Sequence, residues 1–259
     1  MSATPVHRAQ RPVALITGAS RSLGIGIAVA ERLAREGWDI ARAYHLAYDA
    51  RMPWGSDPSE VALATDRLTM LGADTVAIEA NLVEPTAAQQ LFEASARHFS
   101  RPTTALIMCH TESVNSGLLD TTVESFDRHY AVNVRATWLL IREFALQLPM
   151  PCPGGRIVAM TSDHTVGNLP YGATKAALDR TVLAAAHELA GYRITANVIN
   201  PGATETGWIS AELREQIRQM TAIGRVGQPT DAANLVAFLC SPEGGWVNAQ
   251  LLVSDGGAL

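Results

Sequence analysis

The stretch Val13-Ala14-Leu15-Ile16-Thr17-Gly18-Ala19-Ser20-Arg21-Ser22-Leu23-Gly24-Ile25-Gly26 decides how the rest of the chain is read. A short apolar run ends at Thr17, a glycine-rich turn follows, and a helical pattern begins at Ile25 with Ile27, Ala30, Leu33 and Ala34 on one face. Strand, glycine turn and helix in that order make a site for a pyrophosphate. The glycines admit a phosphate close to the backbone, and the helix start offers free N–H groups and a positive dipole end. No Gly-Lys-Ser/Thr follows, so a Walker-type phosphate loop does not fit. Gly37 closes the helical pattern as a residue suited to left-handed backbone.

Outward from this unit the same alternation continues. Strands are expected at Val13–Thr17, Asp39–Tyr44, Asp74–Ala80, Thr104–Cys109, Arg156–Thr161, Arg193–Ile199 and Gln250–Ser254. Helices are expected at Ile25–Glu36, Ser59–Leu71, Thr86–Phe99, Val123–Leu148, Tyr171–Ala190, Ile209–Thr221 and Thr230–Leu239, with Pro149, Pro151 and Pro153 ending the longest one. Several strands are apolar throughout, as strands covered on both faces are. The expectation is α/β: one Rossmann-type, doubly wound parallel sheet of about seven strands in a single domain, residues 12–259, after a tail of residues 1–11. Two long connections stand out, His45–Pro58 with Met52-Pro53-Trp54-Gly55, and Pro201–Gly224 with Trp208, the second a candidate lid.

Composition narrows the class. A 259-residue chain with 47% hydrophobic residues can fill a real core, and 20 Lys+Arg against 25 Asp+Glu without a basic block gives nucleic acid no footprint. Cys109, Cys152 and Cys240 are too few and too far apart for a disulfide framework or a structural zinc site, so no metal is expected. The first apolar run is too short for a secretory segment and none is long enough to cross a bilayer, so the expectation is a cytoplasmic protein without membrane contact.

A second cluster carries chemistry. In Tyr171-Gly172-Ala173-Thr174-Lys175 the two ends share a helix face, and an ammonium near a phenol favours phenolate, which suits tyrosine to proton transfer. Ser162 follows a strand whose carboxyl end faces the same edge of the sheet, and Asn133 is a polar residue within an apolar helical stretch.

As a set, the glycine loop, Asn133, Ser162, Tyr171, Lys175 and Asn200-Pro201-Gly202 with Thr204 and Thr206 resemble the short-chain dehydrogenase/reductase superfamily, from Val13 to Leu259. The likeness is greatest to classical bacterial members akin to 3-oxoacyl-carrier-protein reductases. The resemblance implies a nicotinamide cofactor and a homodimer or homotetramer. It implies Tyr171 as proton donor, Lys175 on the nicotinamide ribose and lowering the Tyr171 pKa, Ser162 on the substrate oxygen, and Asn133 anchoring a water in the proton relay. Cofactor contacts are expected from Gly18, Ser20, Arg21, Leu23, Gly24, Ile25, Tyr44, Asn81, Leu82, Tyr171, Lys175, Pro201, Gly202, Thr204 and Thr206.

The sequence departs from the family in four places. Ser22 and Leu23 lengthen the glycine loop, and a bacterial subgroup is similar both here and at Met52–Gly55. Met108-Cys109-His110-Thr111 replaces the family's Asn-Asn-Ala-Gly, removing side-chain amides that brace the central strands. Asn81 stands where an aspartate is usual. The eight residues between Ser162 and Tyr171 are fewer than usual and include His164, which is either a second titrating group or a plain exposed loop histidine.

These readings predict an NADPH-dependent reductase of a carbonyl on a small or medium organic substrate. Imine or iminium reduction and a non-catalytic cofactor-binding role are the alternatives. NADP(H) is expected over NAD(H), because Ala43, Tyr44 and His45 place no carboxylate at the end of the second strand, Asp39 sits at its wrong end, and Arg21, with Arg42, can meet a 2′-phosphate. Self-association is expected from the wide apolar arc of Trp138, Leu139, Leu140, Ile141, Phe144 and Leu148 with Leu178, Val182, Leu183 and Ala186.

Overall fold

A computed structural model describes residues 11–152 and 154–258, so most of the expected tail, together with Pro153 and Leu259, lies outside the described residues. All seven expected strands form: β1 (Val13–Thr17), β2 (Asp39–Tyr44), β3 (Thr75–Glu79), β4 (Ala105–Met108), β5 (Gly155–Met160), β6 (Ile194–Asn200) and β7 (Leu251–Val253). They pair entirely in parallel in the order β3-β2-β1-β4-β5-β6-β7. From β1 the chain winds to one side through β2 and β3. It then returns to place β4 against the other edge of β1, with Ile16 opposite Ile107. Between the carboxyl ends of β1 and β4 a crevice opens, where ligands bind in folds of this kind.

Nine α-helices form among the described residues: α1 (Ile25–Arg35), α2 (Leu46–Asp49), α3 (Ser59–Met70), α4 (Ala87–Phe99), α5 (Val123–Tyr130), α6 (Ala136–Gln147), α7 (Leu169–Glu188), α8 (Ala211–Met220) and α9 (Pro229–Cys240). On one face Ile27, Leu33, Leu68, Val236 and Leu239 of α1, α3 and α9 pack on Ile16, Ile40 and Ile107. On the other, Leu91, Leu140, Phe144, Leu178 and Val182 of α4, α6 and α7 pack on Leu15, Leu106 and Ile157. The five inner strands, β1, β2, β4, β5 and β6, are largely buried between the two helix layers, whereas the edge strands β3 and β7 stay partly exposed.

Gly37 behaves as expected. At φ +91 it lets its own N–H bond the Ala34 carbonyl and that of Trp38 bond the Leu33 carbonyl, the paired closure that ends a helix on glycine.

Three expectations are corrected. The helix expected at Val123–Leu148 contains a π-helical turn, Ala131–Arg135, whose extra residue resets the facing of the two halves. The His45–Pro58 connection is partly helical, with α2 directly after β2. Finally, much of the apolar arc on α6 and α7 is absorbed inside the chain: Leu140, Phe144, Leu148, Leu178, Val182 and Ala186 are buried in the core. Trp138 and Leu146 alone of α6 remain as large exposed apolar side chains. No described helix is long and apolar enough to cross a membrane.

Candidate active site

A cleft of about 660 Å3 lies over the carboxyl ends of the strands. Of the expected cofactor residues, Gly18, Ser20, Arg21, Gly24, Ile25, Tyr44, Asn81, Leu82, Tyr171, Lys175, Pro201, Gly202, Thr204 and Thr206 line it, and Ser162 joins them. Leu23 does not. It points outward, 63% exposed, because the inserted Ser22 is pinned through its N–H and hydroxyl to the Glu60 carboxylate on α3.

The start of α1 fits a pyrophosphate. Its N-cap, Gly24, supplies no side-chain acceptor, so the first-turn N–H groups remain available beside the cleft. Gly26 is required for packing, since a Cβ there would sit 2.5 Å from the Gly18 carbonyl oxygen. Gly18, at φ +68, lies so close to the end of β4 that a Cβ would come within 2.6 Å of the Cys109 carbonyl carbon.

At the centre of the cleft, β5 delivers Ser162 and the first turns of α7 deliver Tyr171 and Lys175. The Lys175 ammonium is buried, donates to the Met160 carbonyl at 2.9 Å and lies 5.6 Å from the centre of the Tyr171 ring. Burial pulls Lys175 down to about 8, against the raising influence of Cys109 and Asp179. Burial likewise pushes the Tyr171 phenol above its ordinary value, partly offset by the neighbouring Ser162 hydroxyl and reinforced by Asp163. The sequence expectation that Lys175 lowers the Tyr171 pKa is therefore corrected in this state. Desolvation dominates, and Lys175 is not among the groups that shift the phenol. Ser162 also accepts a hydrogen bond from the His164 N–H at 3.1 Å, and the His164 side chain is exposed at the cleft wall.

Asn133 is brought to the region but not into the cleft. The π turn buries it completely, with its amide donating to the Glu112 carbonyl at 3.0 Å and the Thr174 hydroxyl at 2.9 Å, and its Oδ1 accepting from the Glu112 N–H at 2.8 Å. It ties the loop after β4 to α7.

The strand brace missing from Met108-Cys109-His110-Thr111 is supplied by a residue the sequence did not single out for that task. His110 is buried, its Nε2 bonding the Val132 carbonyl at 3.1 Å and its Nδ1 the Thr17 hydroxyl at 2.6 Å. A carbonyl only accepts, so Nε2 carries the proton and Nδ1 accepts from Thr17. This links the end of β1, through the loop after β4, to the π turn. Burial and the nearby Lys175 press His110 down to about 3, so it is neutral at physiological pH.

Arg42 is corrected as a 2′-phosphate candidate. Fully buried under the sheet edge, it donates to the Ala19 carbonyl, the Val61 carbonyl and the Thr65 hydroxyl. Asp39 is structural too, paired with Arg11 and Arg101. Arg21 stays at the cleft, and its surroundings explain why the lengthened glycine loop and the Met52–Gly55 segment occur together. Its guanidinium lies 3.9 Å from the centre of the Trp54 ring, its Nε is 3.4 Å from Asp49, and it donates to the Thr206 carbonyl at 2.9 Å. Trp54 meets Trp208 edge to face at 4.6 Å. The two long connections noted in the sequence thus clasp each other across Arg21, and Arg51 pairs both of its terminal nitrogens with buried Glu112 at 3.0 and 2.9 Å.

A parallel seven-stranded Rossmann sheet with Ser162, Tyr171 and Lys175 at the carboxyl edge defines an oxidoreductase of the nicotinamide-dependent class. Comparison with known proteins agrees: residues 18–258 match the short-chain dehydrogenase family described as enoyl-(acyl carrier protein) reductase. The chain is similar to the uncharacterized oxidoreductase YjdA of Bacillus subtilis, 34% identical over 97% of this chain and 98% of that protein. It is similar as well to an NADPH-dependent aldehyde reductase-like chloroplastic protein of Arabidopsis thaliana, 34% identical over 99% and 97%. Among solved structures, a short-chain dehydrogenase from Burkholderia cenocepacia in complex with NADP superposes with a TM-score of 0.85 at 32% identity, over 97% of this chain and 99% of that one. The protein belongs to the classical short-chain dehydrogenase/reductase family and is an NAD(P)-dependent oxidoreductase.

Proposed function

We propose that the protein uses NADPH to reduce a carbonyl group on a small or medium-sized organic molecule. The observation that carries this reading is the convergence of Ser162, Tyr171 and Lys175 in the cleft that also holds the uncapped start of α1. When bound, the nicotinamide cofactor supplies a hydride to the carbonyl carbon. Tyr171 supplies the proton to the oxygen, giving an alcohol. Its raised pKa suits this direction, because the phenol holds its proton at neutral pH. The Ser162 hydroxyl, beside Tyr171 in the cleft, would add a second O–H donor to the same substrate atom, which favours a carbonyl oxygen, with two lone pairs, over an imine nitrogen, with one. Lys175, fixed by Met160, would hold the nicotinamide ribose, and Asn133 holds α7 and the loop after β4 in place around it. On the substrate side the wall is largely apolar, with Trp208, Ile209, Leu213 and Ile217.

NADP(H) is preferred over NAD(H) in this reading. The cleft has no carboxylate on β2 itself, and Arg21, lining the cleft beside the glycine loop, would be the 2′-phosphate partner. The Arabidopsis relative's name and the NADP in the Burkholderia structure support it. A homodimer or homotetramer is part of the same reading, supported by exposed Trp138, Leu146 and Trp246. The test is Tyr171→Phe. Turnover should fall by about 10²–10⁴-fold, the usual worth of a positioned proton donor, while NADPH titrated by fluorescence binds as before. Near-full activity in the variant would defeat the assignment.

A further inference from the structure

Two buried polar side chains in the cleft have hydrogen-bonding capacity that the folded chain does not use. Asn168 and Ser113 are 3% and 8% exposed, both line the cleft, and the Asn168 Nδ2 donates to the Ser113 Oγ at 3.0 Å. Asn168 Oδ1 is buried and has no partner. Asn168 is also the N-cap residue of α7, a position where asparagine ordinarily bonds the helix's own first N–H groups, yet its side chain makes no capping bond. It turns to Ser113 instead. Ser113 accepts that bond with its oxygen, and its proton has no acceptor among the described residues.

We infer that this pair is a substrate subsite for a hydroxyl group, and that the preferred substrates are hydroxy-carbonyl compounds. The inference rests on the carbonyl-reductase reading. The pair offers one unmet acceptor, Asn168 Oδ1, and one free donor, the Ser113 hydroxyl proton. A substrate hydroxyl answers both at once, donating to the first and accepting from the second. Turning the amide over exchanges the roles: the free group becomes an N–H donor, and the Ser113 oxygen becomes the acceptor. A hydroxyl still satisfies both, whereas an ether or a second oxo group, which only accept, leaves one side unpaired in either orientation. Asn168 is the N-cap of the helix that carries Tyr171, and both residues line the same cleft. The hydroxyl subsite and the proton donor therefore face the same bound molecule. A site built to bond a substrate hydroxyl discriminates far more strongly against its absence than an apolar wall discriminates by shape.

The experiment uses three probes of similar shape: 2-hydroxyacetophenone, 2-methoxyacetophenone and acetophenone. Their dissociation constants from the full-length protein loaded with NADP are read from tryptophan fluorescence, since Trp54 and Trp208 stand at the cleft. Relative kcat/KM with NADPH is measured in parallel. The hydroxy compound should bind at least about tenfold more tightly than both others, the least expected of a buried hydroxyl pair. This ratio should collapse toward unity in Ser113→Ala and Asn168→Ala and return in Ser113→Thr, which keeps the hydroxyl. A ratio of affinities is insensitive to a general loss of activity in a damaged variant. Equal affinity for the three probes in the wild-type protein, or a ratio that survives both alanine variants, overturns the subsite. If the affinity ratio holds but no probe is reduced, the subsite stands and the carbonyl-reductase reading fails.

Discussion

His110 bridges the strand that starts the cofactor site and the helix turn that holds Asn133, so removing it has a calculable cost. In His110→Ala, the Thr17 hydroxyl and the Val132 carbonyl both lose their partner inside the core. At about 1–3 kcal/mol for each stranded group, the loss is roughly 2–6 kcal/mol before any cavity is counted, a large share of the ~5–15 kcal/mol that stabilises a typical domain. His110→Gln keeps an N–H for Val132 and loses less. The same contact predicts a pH signature. His110 is depressed to about 3 from an ordinary 6.5, so the unfolded chain takes up a proton as pH falls below 6.5 while the folded chain does not. The folded state loses stability from this group as pH falls from 6.5 toward 3 and keeps it in full above 6.5. Between pH 7 and pH 5 the loss is about 2 kcal/mol, 1.5 units below the unfolded value at 1.36 kcal/mol each. Urea unfolding of the wild type and His110→Gln at both pH values, at one protein concentration, isolates this contribution from that of the other histidines. Equal losses in the two proteins between pH 7 and pH 5 would refute the buried neutral brace.

Further outcomes follow from the site. Arg21→Ala should weaken NADPH binding by tenfold or more, about 1.4 kcal/mol, with little effect on NADH, as read by nucleotide titration. It should also change tryptophan emission by releasing Trp54 from its cation. Gly26→Ala should destabilise the protein and abolish nucleotide binding, because its Cβ overlaps the Gly18 carbonyl and nothing but backbone is there to yield. Reductase activity should hold steady below pH 8 and decline above it as Lys175, pulled down to about 8, loses the charge with which it would hold the cofactor ribose, and a pH–rate profile checks this. Light scattering at micromolar concentration should give a multiple of 27.7 kDa, and a mass of one chain would count against self-association.

The sequence by itself determined the alternation of strands and helices, because burial of a parallel sheet on both faces writes itself as apolar runs, and glycines mark special backbone positions, Gly18 and Gly26 where chains approach closely and Gly37 where φ is positive. It also determined the order of Ser162, Tyr171 and Lys175, whose spacing follows from one strand end and one helix face. What tertiary structure alone decided is how residues distant in the chain spend their polar groups. Arg21 and Arg42 look alike as cations in sequence. One is held at the cleft by Trp54, Asp49 and Thr206, and the other is consumed beneath α3 by Val61 and Thr65. Asn133 reads as a catalytic asparagine, yet a π turn buries it against Glu112 and Thr174. His110 reads as a lost amide brace and becomes its replacement, since an imidazole donates from one nitrogen and accepts at the other when Val132 and Thr17 stand on either side. Such assignments depend on contacts across 19 to 185 residues of sequence, which no local pattern records.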